Sequence, residues 1–317
     1  MCSSVREAPS AASLVRLTLL FSIDAILPCG RRTFGVRRVS RIEVPALRTT
    51  LSRARLSATT PAGRRHQVVA GDRIGTASIL YHRPMRETLS VAAAQPRCAA
   101  GDVAANAVAH GEAIRAASAR LVLFPELSLT GYELAADPVA LTDPALAAVV
   151  EACHATGSIA FVGAPIEEDD RKYIATLRVD ADGAAVAYRK SHPGGDELER
   201  FSAGDGPTAI DVDGWRVGFG ICRDTGVAEH TSGTAALGID VYLAGLVHLP
   251  EELNEQDARG RRIAAACTAY VVFASFAGPT GGGYQQTAGE STIWSPDGSV
   301  LARASDRPGD VARAEMR

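Results

Sequence analysis

Lysine is nearly absent from this chain of 317 residues: Lys172 and Lys190 are the only lysines among its 33 basic residues. Coding bias explains such a skew better than function does, but the skew makes the position of each lysine informative. Long apolar runs are lacking too, because none approaches the roughly 18 residues of a membrane-spanning helix. We therefore expect no membrane partner.

Paired cysteines are also missing. The six cysteines are far apart at irregular spacings, and none belongs to a C-x-x-C pair. This pattern excludes a disulfide framework and a zinc site of the usual spacing, and it predicts reduced thiols in a cytoplasmic compartment. The histidines have no ligand spacing with one another or with acids, so we expect no metal site.

Charge is distributed unequally along the chain. Residues 1–87 carry 15 arginines and 5 acidic residues, whereas residues 88–317 carry 18 basic and 31 acidic residues. We predict a disordered Arg-rich extension over residues 1–87, with Met85 as the natural start, and a folded domain over residues 88–317. A transit peptide, or a basic arm that touches nucleic acid or anionic lipid, is the alternative for the extension. The acidic domain itself is not expected to bind nucleic acid.

From residue 88 the sequence alternates between short apolar runs and segments with helical spacing. Residues 89–95, 121–124 and 158–163 are typical of buried strands, and residues 102–119 and 144–156 are typical of helices. Asp-Gly pairs at residues 182–183 and 213–214 predict hairpins, so the sheets should be mixed. We expect further helices at 227–237 and 251–268, and a final hairpin over 291–302. The fold class is α/β.

Three of the predicted strands each end at an ionisable residue, namely Glu126, Lys190 and Cys222. Sites in α/β proteins are usually built where strands end. A thiol needs a base to become a good nucleophile, and a carboxylate can supply that base. A lysine ammonium favours the thiolate and stabilises an oxyanion. These residue types together form a set for acyl transfer that needs no histidine and no metal.

The segments around these residues are LVLFPELSLTGY (121–132), YRKSH (188–192) and GICRD (220–224). In order and spacing they resemble the three signature segments of the nitrilase superfamily of carbon–nitrogen hydrolases. The resemblance implies a four-layer α-β-β-α sandwich with mixed sheets, which pairs as a homodimer or higher homo-oligomer, and it implies no cofactor. It assigns Cys222 as the nucleophile, Glu126 as the general base and Lys190 as the oxyanion-stabilising cation.

The same resemblance points to further residues that contact substrate. Glu197 falls where the family has a second active-site glutamate, with Glu199 as the fallback, and Tyr132 falls in a segment that often lines the pocket. The sequence departs from the family pattern at Arg223, because the residue after the cysteine is commonly aromatic or uncharged. We place Arg223 among the substrate-binding residues. A family Glu-Asn pair expected near residue 266 is missing as well.

These features favour an amidase-type hydrolase that acts on a non-peptide C–N bond of a small-molecule amide and forms an acyl-enzyme on Cys222. A nitrilase or an N-carbamoyl amide hydrolase is the alternative within the same chemistry. The Cys-Trp-Glu motif of true nitrilases is absent, and no arginine follows Asp224 where carbamoylases can carry one. A catalytically silent relative that binds a small molecule or a partner chain is the alternative from another class.

Overall fold

The computed structural model describes residues 87–317, together with the backbone of two short strands nearer the N-terminus. These strands, β1 (Arg55–Thr59) and β2 (Arg65–Val69), pair antiparallel. The rest of residues 1–86 lies outside the described part of the chain. The predicted disorder of the extension and the predicted start at Met85 therefore stay predictions.

From residue 87 onwards, strands and helices alternate in the predicted order. The strands are β3 (Leu89–Ala94), β4 (Leu121–Leu123), β5 (Ile159–Glu168), β6 (Arg171–Asp180), β7 (Gly183–Arg189), β8 (Ala209–Val212), β9 (Trp215–Ile221), β10 (Val241–Leu246), β11 (Tyr270–Ser275), β12 (Thr292–Trp294), β13 (Val300–Arg303) and β14 (Val311–Met316). The α-helices are α1 (Val103–Ala117), α2 (Ala147–Thr156), α3 (Ala228–Ala236) and α4 (Leu253–Cys267). No helix within residues 87–317 is long and apolar enough to span a membrane.

The strands form two six-stranded mixed sheets. The first sheet has the order β14-β3-β4-β5-β6-β7, and the second has the order β13-β12-β11-β10-β9-β8. In each sheet a parallel centre, β3-β4-β5 or β9-β10-β11, is flanked by antiparallel strands. Both predicted Asp-Gly hairpins are present, as β6-β7 and β8-β9.

Alternation along the strands divides the core into layers. Leu121 and Leu123 face the cluster between the two sheets, whereas Val122 faces the cluster that α1 and α2 cover. In the second sheet, Leu243 likewise faces inward and Tyr242 faces the helices α3 and α4. Successive side chains of a strand point to opposite faces, so strands buried on both sides must be apolar throughout. The result is a four-layer α-β-β-α sandwich, as predicted.

Two features differ from the sequence-based expectation. Three 3-10 turns precede α-helices, at Pro144–Leu146, Cys222–Gly226 and Pro250–Glu252. The first and third lie at the start of the helices predicted at 144–156 and 251–268, whereas the second lies just before the helix predicted at 227–237. The first and third of these 3-10 turns have a proline at their first position. The missing N–H of proline costs no hydrogen bond there. Strand β14 was not predicted, because its exposed Arg313 and Glu315 mask the buried Ala312 and Met316. It pairs antiparallel with β3, more than 200 residues earlier in the chain.

A buried histidine anchors the segment that follows β4. His110 on α1 is fully enclosed, and its Nδ1 lies 2.6 Å from the carbonyl oxygen of Asn106. A carbonyl oxygen only accepts, so Nδ1 carries the proton and Nε2 accepts from the Ser128 hydroxyl at 2.8 Å. Burial lowers the pKa of His110 to about 4, against a weaker opposing effect of the Asn106 carbonyl. The imidazole is therefore neutral near pH 7.

We expect this histidine to make the fold acid-sensitive. In the unfolded chain its pKa returns to about 6.5, so between pH 6.5 and pH 4 the unfolded state binds more protons and stability falls as pH falls. The loss specific to His110 between pH 7 and pH 5 should be about 2 kcal/mol. Urea unfolding at both pH values, compared with His110→Gln, measures it. Equal losses in the two proteins would contradict the assignment.

Candidate active site

The thiol lies at a sharp turn at the end of β9. Cys222 opens the 3-10 turn Cys222–Gly226 with φ of 38°, a conformation that non-glycine residues rarely adopt. The extended strand thus ends abruptly, and the side chain is partly exposed instead of entering the sheet. The Sγ atom donates a weak hydrogen bond to the carbonyl oxygen of Val247 at 3.6 Å.

Glu126 lies where the two sheets approach each other closely. It follows the end of β4 and precedes Leu127, which has a positive φ of 49°. A Cβ at Gly163 would come within 2.4 Å of the Pro125 carbonyl oxygen, and a Cβ at Gly245 within 2.7 Å of the Glu126 backbone nitrogen. Gly163 belongs to the first sheet and Gly245 to the second. Both glycines are needed because the backbone that carries Glu126 fills the space between them.

A buried ionic cluster joins Glu126 to the segment after β7. The Lys190 Nζ donates to Glu126 Oε1 at 2.6 Å and to Glu197 Oε1 at 2.7 Å. Glu197 also accepts from the Tyr132 hydroxyl at 3.1 Å and from the Gly194 N–H at 2.9 Å. The side chains of Glu126, Lys190 and Glu197 are 0%, 1% and 7% exposed. Water therefore cannot replace these contacts.

The structure brings together five of the six predicted site residues, namely Glu126, Lys190, Cys222, Glu197 and Tyr132. It also separates Glu197 from the fallback Glu199, because Glu199 is exposed. The glycine-rich loop contributes to the same region, since Gly281 donates its N–H to the Gly131 carbonyl oxygen at 2.7 Å. Within residues 87–317, no three His, Cys, Asp or Glu side chains form a group that could hold a metal ion.

Burial and charge shift the pKa values of the acid and the amine. Burial raises the pKa of Glu126 well above its usual value, and the nearby Cys222 adds to this effect, while the Lys190 charge opposes it. Burial acts in the opposite direction on Lys190, but the charges of Glu126 and Cys222 outweigh it and raise the pKa of the amine. Lys190 is therefore a permanent cation, whereas Glu126 can both take up and release a proton.

One oxygen of Glu126 is left free. Oε1 is held by Lys190, whereas Oε2 is buried and has no hydrogen-bond partner among the described residues. Buried carboxylate oxygens are nearly always paired, because an unmade hydrogen bond costs about 1–3 kcal/mol. A proton from the thiol or from a substrate group would satisfy this oxygen. The arrangement thus combines an available base, a fixed cation and an accessible thiol.

Arg223, the sixth predicted residue, lies outside the buried cluster. Its side chain is exposed and makes no hydrogen bond or ion pair within the described part of the chain. It crosses the loop that carries Glu197, because a Cβ at Gly194 would meet Arg223 Nη1 at 2.5 Å and Cδ at 2.7 Å. A free guanidinium therefore lies beside the loop between Lys190 and Glu197.

The sequence-based reasoning missed Asp224, two residues after the cysteine, which is completely buried. In the sequence it is only one residue of the segment GICRD (220–224), and a single aspartate in a turn gives no sign of burial. Its donors, Tyr188 and His192, stand symmetrically two residues before and after Lys190. The sequence gives no sign that these residues contact Asp224, because they lie on and after a strand of the other sheet.

Comparisons with known proteins agree on one group. The family described as carbon-nitrogen hydrolase matches residues 90–317. The chain is 31% identical over 204 residues to a Pseudomonas protegens protein named hydrolase in pqqF 5' region, covering 62% of this chain and 71% of that protein. It is 30% identical over 127 residues to an (R)-stereoselective amidase of Pseudomonas sp, covering 39% of this chain and 46% of that protein.

Solved structures share the fold. The amidase of Nesterenkonia sp. AN1, a nitrilase-superfamily protein, matches with a TM-score of 0.65 and 22% identity, over 72% of this chain and 90% of that chain. A variant of it was solved in complex with butyramide. At this level of identity the likeness shows the sandwich fold.

The two lysines provide a matched test of the ionic cluster. We expect Lys190→Met to lower the free energy of unfolding by about 3 kcal/mol, because it leaves two carboxylates buried without a cation. Lys172→Met should change stability by less than about 0.5 kcal/mol, because Lys172 is only half-buried and makes no ion pair within the described residues. Urea unfolding at pH 7 measures both. Similar losses in the two variants would show that Lys190 is not held as described.

Proposed function

Because the chain belongs to the carbon–nitrogen hydrolase family, we propose that this hydrolase is an amidase that cleaves the C–N bond of a small carboxamide through an acyl-enzyme on Cys222. The observation that carries the proposal is the free, buried Oε2 of Glu126, whose other oxygen is held by Lys190. A base that is fixed in place, is shielded from water and has one oxygen without a hydrogen-bond partner among the described residues suits proton transfer from a nearby thiol.

In the acylation step, Glu126 takes the proton of the Cys222 thiol, and the sulfur attacks the carbonyl carbon of the amide. The developing oxyanion is stabilised by the Lys190 ammonium and by the backbone N–H of Arg223, which follows the nucleophile at the turn. Collapse of this intermediate breaks the C–N bond. Glu126 returns the proton to the leaving nitrogen, so that ammonia or an amine departs and a thioester remains.

In the deacylation step, the same carboxylate takes a proton from a water molecule, whose oxygen attacks the thioester carbon. The C–S bond breaks, the acid leaves and the proton returns to the sulfur. Glu126 thus acts as base, acid and base again within one cycle, which a carboxyl group with a raised pKa can do near neutral pH. Glu197 holds the Lys190 ammonium, and the Tyr132 hydroxyl in turn donates to Glu197. We propose that Glu197 and Tyr132 also contact the substrate.

Arg223 is proposed to contact the part of the substrate beyond the scissile bond. It is a free cation next to the nucleophile, and it carries no protein counter-charge within the described residues. A carboxylate on the substrate would supply that charge. We therefore favour amides that carry a distal acidic group. The (R)-stereoselective amidase and the Nesterenkonia amidase are named for carboxamide hydrolysis, which supports an amide over a nitrile.

We also propose the bounds, the oligomeric state and the location of this hydrolase. The hydrolase domain spans residues 88–317, works as a homodimer or higher homo-oligomer and is located in the cytoplasm. All four cysteines within the described residues are free thiols, which is compatible with a reducing compartment. No cofactor has a role in the proposed chemistry.

Replacement of the nucleophile tests the proposal. We expect Cys222→Ala to lower ammonia release from small carboxamides by at least about 10³-fold, because no other group can form the acyl-enzyme. Cys267→Ala is the matched control, since Cys267 is also a partly exposed free thiol but lies on α4. It should retain activity.

Intact-protein mass spectrometry during turnover should show an acyl adduct that is lost in Cys222→Ala alone. Equal ammonia release by the wild type and Cys222→Ala would rule out the assignment. A wild type that alkylates no faster than a free thiol and hydrolyses none of the amides would instead favour a silent, ligand-binding relative.

A pair of substrates tests the role of Arg223. Succinamate and butyramide differ only in carrying a carboxylate or a methyl group at the far end of the same chain. We expect Arg223→Gln to lower kcat/KM for succinamate by about tenfold, the equivalent of one charge-assisted hydrogen bond, and to leave butyramide within about twofold. Ammonia release measures both. An equal effect on the two amides would contradict the contact with a substrate carboxylate.

A further inference from the structure

A completely buried carboxylate lies beneath the nucleophile turn and takes no part in the proposed chemistry. Asp224 accepts four hydrogen bonds: from the Ile221 N–H at 3.0 Å, the Tyr188 hydroxyl at 2.8 Å, and the His192 N–H and Nδ1 at 2.9 Å each. Each carboxylate oxygen therefore accepts two hydrogen bonds, and Asp224 is 0% exposed. Such full pairing is what allows a charged group to remain buried.

The donors belong to both catalytic segments. Ile221 immediately precedes Cys222 on the second sheet. Tyr188 lies on β7 of the first sheet, and His192 lies in the loop that follows it, so the two residues bracket Lys190. One side chain thus ties the segment of the nucleophile to the segment of the cation, across the interface between the sheets.

The tyrosine is oriented for this contact. Its hydroxyl oxygen accepts from the Ser191 N–H at 3.1 Å and lies 2.8 Å from His230 Nε2. Tyr188 has one proton to donate, and the carboxylate of Asp224 is an acceptor that cannot donate when ionised. The Tyr188 proton is therefore directed at Asp224, and the ring stacks on Phe219 of β9 with centroids 6.3 Å apart.

From this geometry we propose that Asp224 is a positioning residue, which holds Lys190 and Cys222 in the mutual register that the reaction requires. The inference rests on the proposed function of Cys222 and Lys190. The two oxyanion donors, the Lys190 ammonium and the Arg223 N–H, come from different sheets, so no single strand sets the distance between them. Asp224 sets it, because it bonds to both segments within two residues of each donor.

Loss of the carboxylate affects the chemical step more than substrate binding. An asparagine at this position must turn its NH₂ group toward two of the four donors. Either the hydrogen bonds from Ile221 and Tyr188 or those from His192 are then lost. The two donors then relax relative to each other, and displacements of about 1 Å at a reacting centre cost on the order of 10²-fold in rate. Butyramide lacks the carboxylate that is proposed to contact the Arg223 side chain, so its binding depends less on this register than the chemical step does.

The test is Asp224→Asn, with Asp213→Asn as the matched control. Asp213 undergoes the same chemical change at an exposed ion pair with Arg120, on the β8-β9 hairpin. Turnover of butyramide is expressed per Cys222 thiol that iodoacetamide alkylates in protein from the native peak of size-exclusion chromatography, so that unfolded protein is not counted. We expect Asp224→Asn to lower kcat about 100-fold with KM changed less than about threefold. Asp213→Asn should keep the wild-type kcat.

A second variant decides the case if Asp224→Asn fails to fold. Tyr188→Phe preserves the ring and removes one of the four donors, so we expect kcat per titrated thiol to fall about tenfold with KM unchanged. A merely structural role would instead lower the yield of protein in the native peak and the unfolding temperature, and leave kcat per thiol at the wild-type value. That result, or a loss confined to KM, would overturn the inference.

The experiments distinguish a failure of the proposed function from a failure of the positioning role of Asp224. If Cys222→Ala hydrolyses butyramide as well as the wild type does, the proposed function is wrong and Asp224 has nothing to position. If Cys222→Ala is inactive but Asp224→Asn and Tyr188→Phe keep the wild-type kcat per thiol, only the positioning role is wrong.

Discussion

The buried contact of Lys190 with Glu126 and Glu197 constrains the rest of the domain. Removing an ammonium and two carboxylates from water costs several kcal/mol per ion, and their mutual attraction offsets this only when the geometry is close to ideal. The N–O distances of 2.6 and 2.7 Å meet that condition. The fold must therefore deliver the end of β4 and the end of β7 to one place and keep water out. Burial raises the pKa of Glu126, against the opposing charge of Lys190, and so increases the proton affinity of this carboxyl group.

The sandwich meets this requirement by bringing its two sheets close together at Glu126. Gly163 and Gly245 remove side chains from both sides of the backbone there, and the residues around them supply an apolar enclosure. The same closeness lets Cys222, from the second sheet, face a base and a cation from the first. A site divided between two sheets needs something to hold them in register. Asp224 has the contacts for that role, whereas apolar packing alone tolerates small sliding.

Much of this arrangement could be predicted from local patterns. Continuous apolar runs predict buried strands, and Asp-Gly pairs predict hairpins. The residues that follow the strands are the ones expected to face a site. The features that were not predicted depend on contacts with residues that are distant in the sequence. Strand β14 has charged residues at alternate positions and is defined by pairing with β3. The burial of Asp224 depends on donors from another sheet, and the free oxygen of Glu126 depends on which of its two oxygens Lys190 occupies.

The sequence by itself determined the α/β order of the elements and the family, and it predicted Glu126, Lys190 and Cys222 as the catalytic residues, because these inferences follow from residue types and spacings along one chain. The tertiary structure alone decided that Glu197 and not Glu199 joins Lys190, that Arg223 stays outside the buried cluster with no partner among residues 87–317, and that Asp224 bonds to segments of both sheets. The physical reason is that desolvation and hydrogen-bond pairing are properties of a place in the fold. A carboxylate can be a base, a counter-ion or a hydrogen-bond acceptor that links two segments, and which of these it is depends on the donors and the water around it.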